Sequence, residues 1–317
     1  MIEVENLTKN YGTFTALKGI SFYIKKGEVI GFLGPNGAGK TTTMRILTCF
    51  MPPSSGRAIV AGYNVFSDSL AVRKRVGYLP ENVPLYPEMT THSYLKYVAK
   101  IKNTPQKELT KPIDYVINVC GLLDRKHQII GQLSKGYRQR VGLAQALIHN
   151  PDVIILDEPT SGLDPRQVIE IRELVKELGK DRTIILSTHI LAEVSLTCER
   201  VVIINEGKIS GDILLSSGRV CSIEHTSDTQ TSLNDSNTLD LEIHGNPQEI
   251  KSTLAEIPSV DVIDIRDSIY RVSYPISIDL RSDISSTIIA KGWQLLEMRS
   301  VEMTLEEAFL RLTTRRS

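Results

Sequence analysis

The residues Gly34-Pro35-Asn36-Gly37-Ala38-Gly39-Lys40-Thr41, followed by Thr42, fit the spacing G-x-x-x-x-G-K-[ST]. Glycines at these positions let the backbone curl until successive N–H groups face one anion. A helix starting at the end of the loop adds the partial positive charge of its N-terminus. Lys40 then reaches the β- and γ-phosphates of a nucleoside triphosphate, and Thr41 offers its hydroxyl to Mg²⁺. The bland reading is a Gly-rich turn that binds nothing. A second pair, Asp157-Glu158, ends the apolar run Val153-Ile154-Ile155-Leu156. Asp157 suits Mg²⁺ held through its water shell. Glu158, one step further, can polarise a water as general base. Alone, the pair also fits a solvated strand-to-loop turn, because clustered acids mark sites only in a probabilistic way.

These groups need elements that aim them. Short apolar runs at Glu28–Phe32, Asp152–Leu156, Thr183–Ser187 and Val201–Ile204 read as strands covered on both faces, as in a parallel-rich α/β sheet. The glycine loop follows the first run and precedes a helical stretch from Thr41 to Leu47, the context its pattern requires. Between the second and third runs, Asp164 can cap a helix that begins at Pro165 and ends at Gly179. Val168, Ile171, Leu174, Val175 and Leu178 form its apolar stripe. Residues 90–150 read as a mostly helical lobe inserted between strands.

Residues 216–238 are rich in Ser and Thr and show no period, which predicts a flexible linker. Beyond it, Leu239, Leu241 and Ile243 alternate as in a half-buried strand. Asn246 and Pro247 then open a helix. Strands near 260–265 and 269–274, a helix over 281–290 and a strand over 293–298 complete the order βαββαβ, the ferredoxin-like motif. Thr304-Leu305-Glu306-Glu307 is a capping box that starts a last helix.

Lys+Arg and Asp+Glu both number 37 in 317 residues, so the formal net charge is zero. That balance argues against a polybasic nucleic-acid binder and against an acidic tail. The longest uncharged run is eleven residues, short of the roughly 18 that a membrane helix needs. Met1-Ile2-Glu3-Val4-Glu5 carries neither the basic nor the apolar region of a signal peptide. Cys49, Cys120, Cys198 and Cys221 form no CxxC pair, which fits reduced thiols in a cytosolic protein.

Three further segments complete a joint pattern. Leu133-Ser134-Lys135-Gly136-Tyr137-Arg138-Gln139-Arg140 precedes Asp157-Glu158, Ser161-Gly162-Leu163-Asp164 follows it, and His189 ends the next strand. In this order the set resembles the ATPases of ATP-binding cassette (ABC) transporters over residues 1 to about 213. The ending Thr304–Leu312 resembles one exporter subfamily, which includes gliding-motility-associated, drug, polysaccharide and copper-processing exporters. The wording of Leu133–Arg140 resembles the gliding-motility-associated ATPase most.

The resemblance implies an α/β P-loop NTPase domain over 1–215 with a helical subdomain at about 88–150. The linker 216–238 and a small α+β ferredoxin-like domain over 239–317, with its terminal helix, would follow. It implies ATP and Mg²⁺ as cofactors, with Tyr11 stacked on adenine. Stacking of this kind contributes on the order of 1–3 kcal/mol per base; the bland reading of Tyr11 is a half-buried strand aromatic. Ser134 and Gly136 would contact the γ-phosphate held by an opposite subunit, although Ser134 also suits a plain helix N-cap. Lys135 and Tyr137 depart from the usual LSGGQ wording. Asp164 would communicate across the dimer as well as cap its helix. His189 would sense the γ-phosphate, because a neutral ring donates and accepts at once. Glu81 stands where most cassettes carry Gln; it is expected to contact the metal, against the alternative of a solvated loop acid.

The expected partners are separate transmembrane permease subunits, docked on the loop from Glu81 to about Tyr97, and a second ATPase subunit, most simply a second copy. No nucleic acid is expected. The expected place is the cytoplasm, peripheral on the inner face of the cell membrane. The alternatives are a non-transport cassette ATPase acting on ribosomes or DNA, and a catalytically silent regulatory subunit. The presence of Glu158 and His189 argues against silence.

Overall fold

The computed structural model describes residues 1–102, 104, 109–216, 219–224, 236–266, 268–275, 278–301 and 304–313. The first half runs β1 (Ile2–Tyr11), β2 (Phe14–Ile24), β3 (Val29–Leu33), α1 (Lys40–Leu47), β4 (Ser55–Val60), β5 (Tyr63–Asn64), α2 (Ser69–Arg75) and β6 (Val76–Leu79). A helical lobe follows, with α3 (Thr91–Ile101), α4 (Thr110–Val119) and α5 (Lys135–Leu147). The chain then returns through β7 (Val153–Asp157), α6 (Pro165–Gly179), β8 (Thr183–Thr188), α7 (Leu191–Thr197), β9 (Arg200–Asn205) and β10 (Lys208–Ser216). After β11 (Arg219–Glu224) come β12 (Ser236–His244), α8 (Pro247–Glu256), β13 (Asp261–Arg266), β14 (Ile269–Pro275), α9 (Arg281–Ala290), β15 (Gln294–Ser300) and α10 (Leu305–Thr313).

The central sheet has the order β11-β10-β9-β3-β8-β7-β6. Strands β9, β3, β8, β7 and β6 are parallel. Every residue of β7 and of β8 is buried, as central strands covered on both faces require. The register pairs Leu33 with Thr188 and Asp157 with Ser187. The carboxyl ends of β3, β7 and β8 therefore lie side by side, where ligands bind in open α/β sheets. A smaller antiparallel sheet, β2-β1-β4-β5, packs Ile2, Leu7, Leu17 and Ile20 against the other face of α1 and β3.

Two elements differ from the sequence reading. Residues 219–224 of the expected linker form β11, paired with β10 at Ile213↔Ile223. Ile223 and Leu215 are buried there. The Ser/Thr content hides the short run Val220-Cys221-Ser222-Ile223, which becomes a strand because the open edge of β10 supplies its hydrogen bonds. Strand β12 also begins at Ser236, inside the expected linker. The rest of that stretch, 217–218 and 225–235, lies outside the described residues.

The second difference is α10. Its capping box forms as expected, with Glu307 N donating to Thr304 Oγ1 at 3.2 Å and Thr304 N to Glu307 Oε2 at 3.1 Å. Yet the helix packs on the ATPase-like body, not within the accessory domain. Leu305 and Ala308 are buried in the same core as Val194, Val201 and Ile213, and Phe309 and Leu312 pack against it. Asn205 Nδ2 donates to the Thr313 carbonyl at 3.2 Å. Gly211 makes room: a Cβ there would lie 2.7 Å from Leu312 Cδ1.

The accessory domain has the antiparallel order β13-β14-β12-β15, the topology expected of βαββαβ. Leu239, Leu241 and Ile243 face Ile250, Leu254, Ile284 and Ile288 of α8 and α9. On the opposite face Asp240 is paired with Arg271 at 2.7 Å, and Arg271 lies 3.8 Å from Glu307 of α10.

Candidate active site

The loop between β3 and α1 turns through Gly37 (φ +81°) and Gly39 (φ +112°). Only glycine reaches such angles without strain. At Gly39 a Cβ would also sit 2.7 Å from Leu17 Cδ2. Lys40 opens α1 and folds back, its Nζ donating to the Gly34 carbonyl at 2.7 Å and the Pro35 carbonyl at 3.3 Å. Its ammonium also lies 3.6 Å from Glu158 Oε1. Burial pulls the Lys40 pKa down, and the charge of Glu158 opposes that pull.

Asp157 ends β7 and is fully buried. Its Oδ1 accepts from Ser187 Oγ at 3.0 Å and from Thr41 Oγ1 at 3.4 Å. Its Oδ2 is buried without a hydrogen-bond partner. Burial raises the pKa of this carboxyl, and the two hydroxyls act against the rise. A buried carboxylate oxygen without a donor is costly. A hard divalent cation, or a water on it, removes that cost, and the oxygen-only set of Thr41 and Asp157 fits Mg²⁺.

Glu158 takes a left-handed backbone conformation (φ +49°), which costs about 1–3 kcal/mol for a residue other than glycine. Its N–H donates to the Ser187 carbonyl at 2.8 Å, and its own carbonyl accepts from Ser161 N at 3.2 Å. The result is a carboxylate turned from the end of β7 toward β8. His189 Nδ1 lies 3.0 Å from Glu158 Oε1 and 2.9 Å from Oε2. Glu158 is buried, whereas the His189 side chain is 45% exposed, so the pair opens to solvent. A buried carboxylate, an imidazole and a buried ammonium are thus within one cluster, an arrangement with the groups that general-base hydrolysis of a phosphoanhydride uses.

The other expected residues stand further off. Glu81 is exposed on the turn after β6, and its charge acts on both Lys40 and Asp157. Tyr11 ends β1, is 44% exposed and donates to Met51 Sδ at 3.0 Å. Ser134 caps α5 and accepts from Tyr137 N at 3.4 Å; Asp164 caps α6 and accepts from Gln167 N at 3.0 Å. Both caps are as expected. The two caps adjoin each other: a Cβ on Gly136 would lie 2.5 Å from Gln167, and one on Gly162 would lie 2.3 Å from Lys135 Nζ. Ser134, Gly136 and Asp164 form a second cluster with no hydrogen bond to the phosphate loop among the described residues.

Comparison with known proteins gives the family. The linearmycin resistance ATP-binding protein LnrL of Bacillus subtilis is 31% identical over 99% of this chain and 99% of its own length. The chain belongs to the ABC transporter ATP-binding proteins. The ABC transporter family model matches residues 17–161, from within β2 to the turn after Glu158. The bacitracin transport ATP-binding protein BcrA of Bacillus licheniformis is 39% identical over 67% of this chain and 69% of its own. The dimeric ATP-binding cassette MJ0796, solved in a post-hydrolysis state with ADP and Pi, aligns with a TM-score of 0.63 and 27% identity. It covers 68% of this chain and 99% of that one. As an ABC cassette, the chain is an ATPase.

Sequence reasoning missed four polar groups around Glu158: Ser187, Thr188, Thr160 and Glu193, all buried. One signal was available. The otherwise apolar run Ile184-Ile185-Leu186 ends in Ser187-Thr188, and buried hydroxyls at the end of a strand need partners.

Proposed function

We propose that the chain is the ATP-hydrolysing subunit of an exporter whose membrane-spanning subunits are separate chains. The observation that carries the catalytic part is the buried Lys40–Glu158 pair, with the solvent-facing His189 on Glu158, beside an Asp157 oxygen that lacks a donor. The loop N–H groups and Lys40 hold the β- and γ-phosphates. Thr41 and Asp157 hold Mg²⁺, with Glu81 beside them; bound there, it neutralises charge on the phosphate oxygens. Tyr11 presents its exposed ring to adenine. Glu158 accepts a proton from the attacking water. With its Nδ1 hydrogen given to Glu158, His189 keeps Nε2 as an acceptor and holds the carboxylate in place.

Ser134, Gly136 and Asp164 make sense as the second half of a composite site, completing the nucleotide held by another copy in a head-to-tail dimer. Closure on ATP and opening after hydrolysis would drive the membrane subunits. The stretch from Glu81 to Tyr97 presents Tyr86 and Tyr97, edge to face at 5.6 Å and both half-exposed, as the docking surface. No helix among the described residues is long and apolar enough to cross a membrane. Two relatives named for linearmycin resistance and bacitracin transport support the export reading. The place of work is then the cytoplasmic face of the membrane. Sedimentation of Glu158→Gln tests the composite site. MgATP is expected to convert it from monomer to dimer, and Ser134→Arg, which adds bulk and charge at the cap, is expected to block that step. A protein that stays monomeric with ATP, or dimerises equally well with Ser134→Arg, contradicts the composite site.

A further inference from the structure

Glu193, on the first turn of α7, is a buried carboxylate. It forms no ion pair among the described residues. Its partners are two threonine hydroxyls. Thr160 Oγ1 donates to Oε1, and Thr188 Oγ1 donates to Oε2 at 2.9 Å. Thr188 Oγ1 in turn accepts from the Ile190 N–H at 3.1 Å and lies 3.4 Å from Glu158 Oε2. Thr160 sits two residues after Glu158, and Thr188 precedes His189. One carboxylate thus ties together the loop leaving the base, the strand end before the histidine and the helix after it.

A threonine hydroxyl carries one hydrogen. The shorter contact to Glu193 takes the Thr188 hydrogen, so it is not directed at Glu158, which keeps His189 at hydrogen-bond distance and the Lys40 ammonium as an ion-pair partner at 3.6 Å. The second consequence is mechanical. The left-handed backbone at Glu158 persists only if its surroundings hold it on both sides. The bonds to Ser187 and Ser161 hold it at the residue itself. Thr160 on Glu193 is the anchor one step beyond. A buried carboxylate satisfied only by hydroxyls is an expensive choice for packing alone.

We infer that Glu193 is a positioning residue: through Thr160 and Thr188 it sets the orientation of the Glu158 carboxylate and of His189. The inference rests on Glu158 acting as the base. Its effect is felt in the chemical step and not in nucleotide binding, because among the described residues no bond joins Glu193 to the phosphate loop. An apolar cavity of about 270 Å³ between α6 and α7, lined by Pro159, Thr160, Ile190 and Glu193, gives the clamp room to move once it is cut.

The test uses the full chain and three readouts: single-turnover phosphate release, KM for ATP and thermal midpoint. Glu193→Ala and Thr160→Val are expected to lower the rate about 10- to 100-fold, the loss that a misplaced base produces. KM is expected to stay within about twofold, since binding and the chemical step are separable in this way. Thr160→Ser keeps the hydroxyl and should restore most of the rate. The double variant Thr160→Val/Glu193→Ala should lose no more than the worse single, because the two act as one unit. Glu158→Gln is measured alongside. If Glu158→Gln turns over normally, the reading of the base fails, and this inference with it. If Glu158→Gln is inactive while Glu193→Ala and Thr160→Val retain the wild-type rate, the inference alone is overturned. It is overturned equally if Thr160→Ser is as slow as Thr160→Val at unchanged thermal midpoint.

Discussion

Replacing Leu305 by Ala should destabilise the ATPase body and spare the accessory domain. Leu305 is 3% exposed in the core shared by α7, β9 and β10. Truncating a buried Leu costs about 2–5 kcal/mol, depending on how far the site collapses. Here the covering element is a nine-residue helix at the edge of the body. It can shift inward, which argues for the lower half, about 2–3 kcal/mol. For a body of this size each kcal/mol moves the midpoint by about 2–4 °C, so the expected drop is roughly 4–12 °C. Leu310, on the same helix but 60% exposed, is the control; its Ala variant should stay within about 0.5 kcal/mol of wild type. The two bodies can be followed apart. Trp293, the one tryptophan, stands beside Gly245 in the accessory domain and reports on it by fluorescence. The transition that ATP moves upward belongs to the ATPase body. If Leu305→Ala lowers the Trp293 transition and leaves the ATP-shifted one in place, α10 belongs to the accessory domain and its described packing is wrong.

Three further outcomes are expected. Lys40→Ala removes a charge-assisted bond worth about 1.5–3 kcal/mol, so titration with a fluorescent ATP analogue should show roughly 10- to 100-fold weaker binding; unchanged affinity means that the loop does not hold phosphate as described. Asp157→Asn should raise the Mg²⁺ concentration for half-maximal hydrolysis about tenfold or more, and an unaltered Mg²⁺ dependence removes Asp157 from the metal site. The Arg271 guanidinium holds the Asp240 carboxyl below its usual range. A depressed carboxyl stabilises the fold above its unfolded pKa of about 3.9 and loses that contribution as pH falls through its lower folded value. Asp240→Asn should therefore lower the Trp293 transition at pH 7, with the gap to wild type closing only below about pH 4; a gap constant with pH contradicts the ion pair.

The sequence carried the phosphate loop, Asp157-Glu158 and four of the five parallel strands plainly; β6 (Val76–Leu79), only four residues long with Gly77 inside it, was not among them. In each case local spacing and the two-sided burial of a strand dictate the backbone. Both helix caps and the βαββαβ order were legible for the same reason. What it hid depended on pairing between distant segments. The strand at Arg219–Glu224 exists because β10 offers an edge, and its Ser/Thr neighbours mask a four-residue alternation. The capping box at Thr304 announces a helix but not the surface it covers, since that depends on Gly211 leaving space for Leu312. Glu193 follows His189 by four residues, yet only the turn of the short helix α7 brings it back beneath Thr188. The halves of the proposed composite site lie at two places on one chain, as they must if a second copy joins them.

The proposed base for ATP hydrolysis is Glu158, held by His189 and paired with Lys40. The most direct measurement is phosphate release from MgATP by Glu158→Gln, beside its affinity for ATP. The amide keeps the size and hydrogen bonding of the side chain but cannot take a proton. ATP binding should be unchanged and hydrolysis reduced by about 10²- to 10⁴-fold. Near-normal release by the folded, ATP-bound variant would contradict Glu158 as the base.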